Sequence, residues 1–221
     1  MINLKNRLTL FFSLPFYPSE RKNMFLHGHI SLGIEDRVYQ IFNPYLLKSD
    51  FLVSIMPVDE WLYNDSSYWV DRDKKSKTYR YVHLYRKSEL KRTTVFYCSF
   101  KVEKETIEKA NSFFSEIEKL FKYGKLKFRV FKDNCSGLIA DFFYKERLIK
   151  RNFFNFIPFL FFKKVIVTLS HKKIDFVTGI LFKEKNMDFN IHNFCWPYIY
   201  KPEKTILKWI KKYNFIDNIE K

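Results

Sequence analysis

One cysteine in this 221-residue chain stands where a thiol can do chemistry. Cys135 lies in the run Asp133-Asn134-Cys135-Ser136-Gly137-Leu138-Ile139-Ala140-Asp141-Phe142-Phe143, whose apolar residues at 138, 139, 142 and 143 have helical spacing. Asp133 or Asn134 can cap such a helix with a side-chain oxygen. Cys135 then falls in the first turn, where the helix dipole favours a thiolate and backbone N–H groups can steady an oxyanion. A thiol nucleophile also needs a base, and a third group to hold that base in orientation. His29 and Gln40 are the candidates. The plain alternative is that Cys135 is an inert core residue, the commoner fate of a free cysteine.

The elements that must position these groups are readable in part. Residues 28–42 alternate as a β-hairpin, with Ile30, Leu32 and Ile34 on one face, a turn at Glu35-Asp36-Arg37 and a return from Val38 to Phe42. His29 and Gln40 are expected on the same face of the two strands. Phe51 to Met56 and residues 93–102 read as strands, and 103–122 as an amphipathic helix stopped at Tyr123-Gly124. Leu126 to Phe131 reads as a short strand leading into the Cys135 helix.

With this order of elements the chain resembles the circularly permuted papain-like thiol hydrolases, which include permuted relatives of NlpC-type cell-wall peptidases and the lecithin:retinol acyltransferase family. The resemblance rests on Gly28-His29-Ile30-Ser31-Leu32-Gly33-Ile34, then Val38-Tyr39-Gln40, then Asn134-Cys135-Ser136-Gly137-Leu138-Ile139, within residues 25–145. It implies an α+β fold in which an antiparallel sheet packs against the helix carrying the nucleophile. It implies Cys135 as nucleophile, His29 as general base and Gln40 as the residue orienting His29. Tyr39 or Asn43 is the alternative orienting residue, and His27 the alternative base. It implies an acyl hydrolase or acyltransferase working through a thioester on an amide, ester or thioester of a lipid or peptide, without a cofactor or metal.

Composition bounds the rest. Forty Lys plus Arg against 24 Asp plus Glu give a net charge of +16, and phenylalanine occurs 26 times. Such a balance suits an anionic partner. The non-enzymatic alternative is therefore a basic module binding anionic membrane or nucleic acid. No nucleic-acid-reading motif is visible, so nucleic acid is not the expected partner. Residues 71–92 hold nine basic and three acidic residues, read as a solvated face. The three cysteines, Cys98, Cys135 and Cys195, form no disulfide framework and no Cys-x-x-Cys zinc pair. His83, His171 and His192 sit in no motif.

Two ends of the chain invite a membrane reading. The apolar run Leu8–Phe16 after Lys5 and Arg7 has the outline of a secretion signal, but no small-residue cleavage site follows. A first strand or surface arm is the preferred reading. A cytoplasmic or peripheral-membrane location is expected, with export by a signal as the alternative. The division expected is a catalytic domain at 1–150 and an apolar, basic extension at 151–221 packed on it. Phe153 to Phe162 is too short and too interrupted to span a bilayer, and is read as a core element that could instead dip into an interface. Ile174 to Phe182 reads as a strand, and Lys201 to Phe215 as a basic amphipathic helix.

Overall fold

The computed structural model describes residues 6–13, 29–44, 50–58, 61, 95–129, 131–151, 153–181 and 216–217. The apolar run after Arg7 becomes strand β1 (Arg7–Ser13). The hairpin is β2 (His29–Ile34) and β3 (Arg37–Ile41), followed by β4 (Val53–Pro57) and β5 (Val95–Lys101). Helix α1 (Lys104–Lys122) and helix α2 (Cys135–Lys145) come next, then a 3-10 turn (Phe153–Phe156) and helix α3 (Pro158–His171). Strands β6 (Phe176–Leu181) and β7 (Ile216–Asp217) complete one sheet in the order β4-β3-β2-β1-β5-β6-β7. The first six strands pair antiparallel, and β7 joins β6 in parallel. The chain is thus α+β.

The sheet buries both faces, because apolar residues occupy both parities of its central strands. Leu8, Leu10 and Phe12 of β1 share one face with Ile30, Leu32 and Ile34 of β2 and with Phe96, Cys98 and Phe100 of β5. Helices α1, α2 and α3 all pack on this face. Phe11 points the other way, into a smaller cluster with Val38, Met56, Trp61 and Tyr97. There the polar residues Thr9 and Ser99 are satisfied: Thr9 Oγ1 donates to Ser99 Oγ at 2.9 Å, and Arg7 donates to the same Oγ and to the Ser99 carbonyl.

The described residues beyond 150 belong to the same sheet and the same core. Phe159, Phe161, Phe162, Val165, Ile166 and Leu169 bury one stripe of α3 against β1, β2 and α2, so the second half of the Phe-rich run faces the core. No helix among the described residues is long and apolar enough to cross a membrane. The expected helix at 201–215, the basic stretch at 71–92, Cys195, His27, His83 and His192 lie outside the described residues.

The expected strand at Leu126–Phe131 is not one. Leu126 and Phe128 do turn inward onto the core while Lys125, Lys127 and Arg129 turn out, which is the alternation the sequence shows. The described residues of the segment have no slot in the strand order, however, so they form no ladder. Its start is fixed by Gly124 at φ 68° and by the Leu126 N–H, which donates to the Leu120 carbonyl at 3.1 Å. A left-handed residue there costs glycine nothing.

The junction of sheet and helices is filled by Phe143, fully buried between Phe100, Phe142 and Phe161 at ring separations of 5.5 to 6.0 Å. Phe143→Ala is expected to cost about 3–5 kcal/mol, read as a lower urea midpoint at unchanged slope. A loss under about 1 kcal/mol would contradict this packing.

Candidate active site

The start of α2 is built by its sequence. Asn134 adopts an extended backbone and its Oδ1 accepts from the Gly137 N–H at 2.8 Å, so Asn134, not Asp133, is the cap. The same side chain donates through Nδ2 to the Phe156 carbonyl at 2.8 Å. Ser136 Oγ donates to the Asn155 carbonyl, which ties the 3-10 turn to the first turn of α2. Asp133, also buried, holds Arg129 in an ion pair that closes the loop ahead of the cap. Gly137 is required by close approach: a Cβ on it would lie 1.8 Å from the Lys132 carbonyl oxygen.

Cys135 is therefore the first residue of a rigidly seated helix, 8% exposed and facing the sheet. Its thiol meets the backbone N–H of Ile30, the residue that follows His29, and the N–H groups of Ser136 and Cys135 itself. The β2–β3 ladder runs from Ile34↔Arg37 to Ser31↔Gln40 and stops there, one residue short of this contact. Burial pushes the thiol up to about 11, and the three N–H groups, which favour the thiolate, pull against it. Cys98, buried within β5, is pushed up further by the same desolvation, opposed only by the charge of Arg7. The thiol at the helix start is thus the better placed of the two to ionise.

His29 is brought close in sequence but not into contact. Ile30 faces the helices, so strand alternation turns His29 to the opposite face. There its ring stacks on Phe42 at 5.7 Å and 11° between planes. The ring is only partly exposed, yet Nε2 is shut off from solvent and has no hydrogen-bond partner among the described residues. Burial lowers this histidine to about 4, so it is neutral near pH 7. Among the described residues no hydrogen bond joins His29 to Cys135.

Gln40 shares the His29 face, as expected, but the register sets it opposite Ser31 rather than His29. Its Nε2 donates to the Met56 sulfur at 3.7 Å. Of the alternative orienting residues, Tyr39 points to the helix face and its hydroxyl donates to Asn111 Oδ1 at 2.6 Å. Asn43 follows the end of β3. His171 closes α3 at the surface.

Two residues passed over in the sequence join this face. Ser31, Gln40 and Ser54 lie directly opposite one another across β2, β3 and β4. Ser31 and Ser54 are fully buried, with Oγ atoms that have no partner among the described residues. The signal was present as serines at inward positions of alternating strands, where an apolar residue is the norm. With His29 Nε2 they give three unsatisfied buried polar atoms on one face, a pattern native proteins keep rare because each costs about 1–3 kcal/mol.

The chain matches no protein-family model, no curated protein and no solved structure.

Two predictions follow from this geometry. Gly137→Ala forces the Lys132 carbonyl off the helix start and is expected to cost about 3 kcal/mol in urea unfolding; a neutral result would remove the close approach. The second concerns acid stability. The unfolded chain protonates His29 near 6.5 and the folded protein only near 4, so the unfolded state binds more protons in that window. The stability His29 contributes by staying neutral is complete above about pH 6.5 and is lost as pH falls toward 4, by on the order of 3 kcal/mol. Urea midpoints should fall across that window more steeply in wild type than in His29→Phe. Equal slopes would mean that His29 is not protected in the fold.

Proposed function

We propose that this chain is a cysteine-dependent acyl hydrolase or acyltransferase of permuted papain-like build, acting through a thioester on Cys135. The observation that carries the reading is the seat of the Cys135 thiol. It sits at the first residue of a capped helix, among three backbone N–H groups, one of them from the strand residue next to His29. The order of elements also supports it, with the histidine strand and its partner ahead of the cysteine helix.

In this reading Sγ attacks the acyl carbonyl carbon as its proton passes to an imidazole. The oxyanion accepts from the N–H groups of Cys135 and Ser136. Collapse of the tetrahedral intermediate expels an amine, alcohol or thiol, which takes that proton. Water or a second acceptor then cleaves the thioester. A lipid or peptide acyl donor fits this chemistry.

The protonation states constrain the base. Moving the thiol proton onto His29 spans the gap from about 11 to about 4, on the order of 10 kcal/mol for a discrete ion pair. Proton transfer must therefore accompany attack rather than precede it. His29 lies on the opposite face of the sheet, so it serves as base only if the start of β2 turns over, leaving Phe42 and carrying the ring to the helix side. His27, two residues earlier, is the alternative base.

The burial of the thiol favours a second reading, a non-catalytic basic module in which Cys135 is structural. Mass spectrometry on protein mixed with a short-chain p-nitrophenyl ester separates the two. The expected result is a burst of p-nitrophenolate with one acyl group on the Cys135 peptide, reduced at least about a hundredfold in Cys135→Ser. Burst loss in His29→Ala or in His27→Ala identifies the base. Undiminished turnover by Cys135→Ser, or no acylation of the wild type by ester, thioester or amide donors, would leave the binding-module reading.

A further inference from the structure

The surface beside the start of α2 combines features that the acyl chemistry does not use. Phe131 is 74% exposed and Phe154 is 52% exposed, the two most exposed phenylalanines among the described residues. They belong to different segments, and both are held. Phe131 lies in the loop that the Arg129–Asp133 ion pair closes, with its ring edge-on to Phe156 at 6.0 Å. Phe154 lies on the 3-10 turn that Asn134 and Ser136 anchor to α2. Neither ring is a frayed end.

Charge surrounds them with one sign. Residues 125–132 contain four basic residues and no acidic one. Lys127, Arg129 and Lys132 are exposed, because Leu126 and Phe128 take the inward positions of that segment. Lys127 and Lys132 form no ion pair among the described residues. Rigid, outward phenylalanines amid unpaired lysines match a bilayer interface, where rings enter the acyl boundary and ammonium groups meet anionic headgroups. A nucleic acid would use the same charges but has no acyl layer to take up two outward rings.

We infer that this patch docks the protein on an anionic lipid bilayer, with Phe131 and Phe154 inserted and Lys127 and Lys132 on the headgroups. The docking face then borders the first turn of α2, so the Cys135 end of the helix is turned toward the membrane. The inference stands apart from the thioester reading, since it uses neither the thiol nor a histidine.

The test is co-sedimentation of the full chain with vesicles of phosphatidylcholine containing roughly one-third phosphatidylserine, at near-physiological salt. Wild type is expected to bind these and to bind pure phosphatidylcholine vesicles at least about tenfold less. A Phe131→Ser/Phe154→Ser variant keeps every charge and is expected to lose about tenfold in affinity. Lys127→Glu/Lys132→Glu removes no packing and is expected to lose at least as much. Binding by the serine variant equal to wild type would mean general adsorption of a cationic protein and overturn the proposal. Displacement of the wild type from vesicles by a single-stranded RNA that binds more tightly at these residues would overturn it too. Cys135→Ala should bind vesicles as wild type does, so failure of the acyl chemistry and failure of the docking are read separately.

Discussion

The carboxamide of Asn134 is the joint on which the described structure turns. Its oxygen takes the Gly137 N–H and starts a helix; its nitrogen holds the Phe156 carbonyl and fixes the turn before α3. One planar group thus sets the entry of α2 and ties to it a chain segment 22 residues away. An aspartate would cap equally well but has no donor for the carbonyl, and a serine lacks the reach. Because both partners are fixed, Cys135 has little freedom. It is pinned against β2, with Gly137 allowing the preceding loop to lie directly on the first turn.

The two faces of the sheet are chemically unequal. Near β5, buried polar residues on the face away from the helices satisfy one another through Arg7, Thr9 and Ser99. Near β3 and β4, the same face carries Ser31, Ser54 and His29 with atoms left unpaired. A stability-driven core would have replaced these by apolar residues of similar volume. Their place on β2, which also meets Cys135, and on β4 is the strongest asymmetry in the sheet. Protonation follows from burial: desolvation alone leaves the imidazole neutral, and at Cys135 it outweighs three backbone N–H groups and keeps the thiol protonated.

Much of this architecture is legible in the sequence where one periodicity dominates. The hairpin, the strand before α1, α1 itself and the Asn-Cys helix start all show a clean period of 2 or 3.6 and carry their own stop or cap residues. The chain is misread where period and environment separate. Lys125 to Arg129 alternates, but alternation reports only that one side is buried, and here that side lies on the core without a strand partner. The apolar run before Lys163 shows no amphipathic period until its continuation to His171 is included, when the stripe of α3 emerges. The site is half legible. The types and order of Cys135, His29 and Gln40 are plain. Whether two of them touch depends on which face a strand residue takes relative to a helix in another part of the chain, and on a register that sets Gln40 opposite Ser31, two residues from His29.

The place of β1 also has a consequence for how the protein is made. The strand nearest the start of the chain lies inside the sheet, between β2 and β5. Arg7 bonds to Ser99 across 92 residues of sequence. During synthesis the first strand leaves the ribosome with one long edge unpaired, and that edge stays open until β5 has been translated. At typical elongation rates of about 5–20 residues per second the wait is several seconds. A long apolar edge open for that time is a template for pairing with another nascent chain. The sheet closes only when long-range partners meet, so folding is slow and synthesis rate matters. Yield of native protein is thereby tied to how quickly the ribosome delivers residues 95–101.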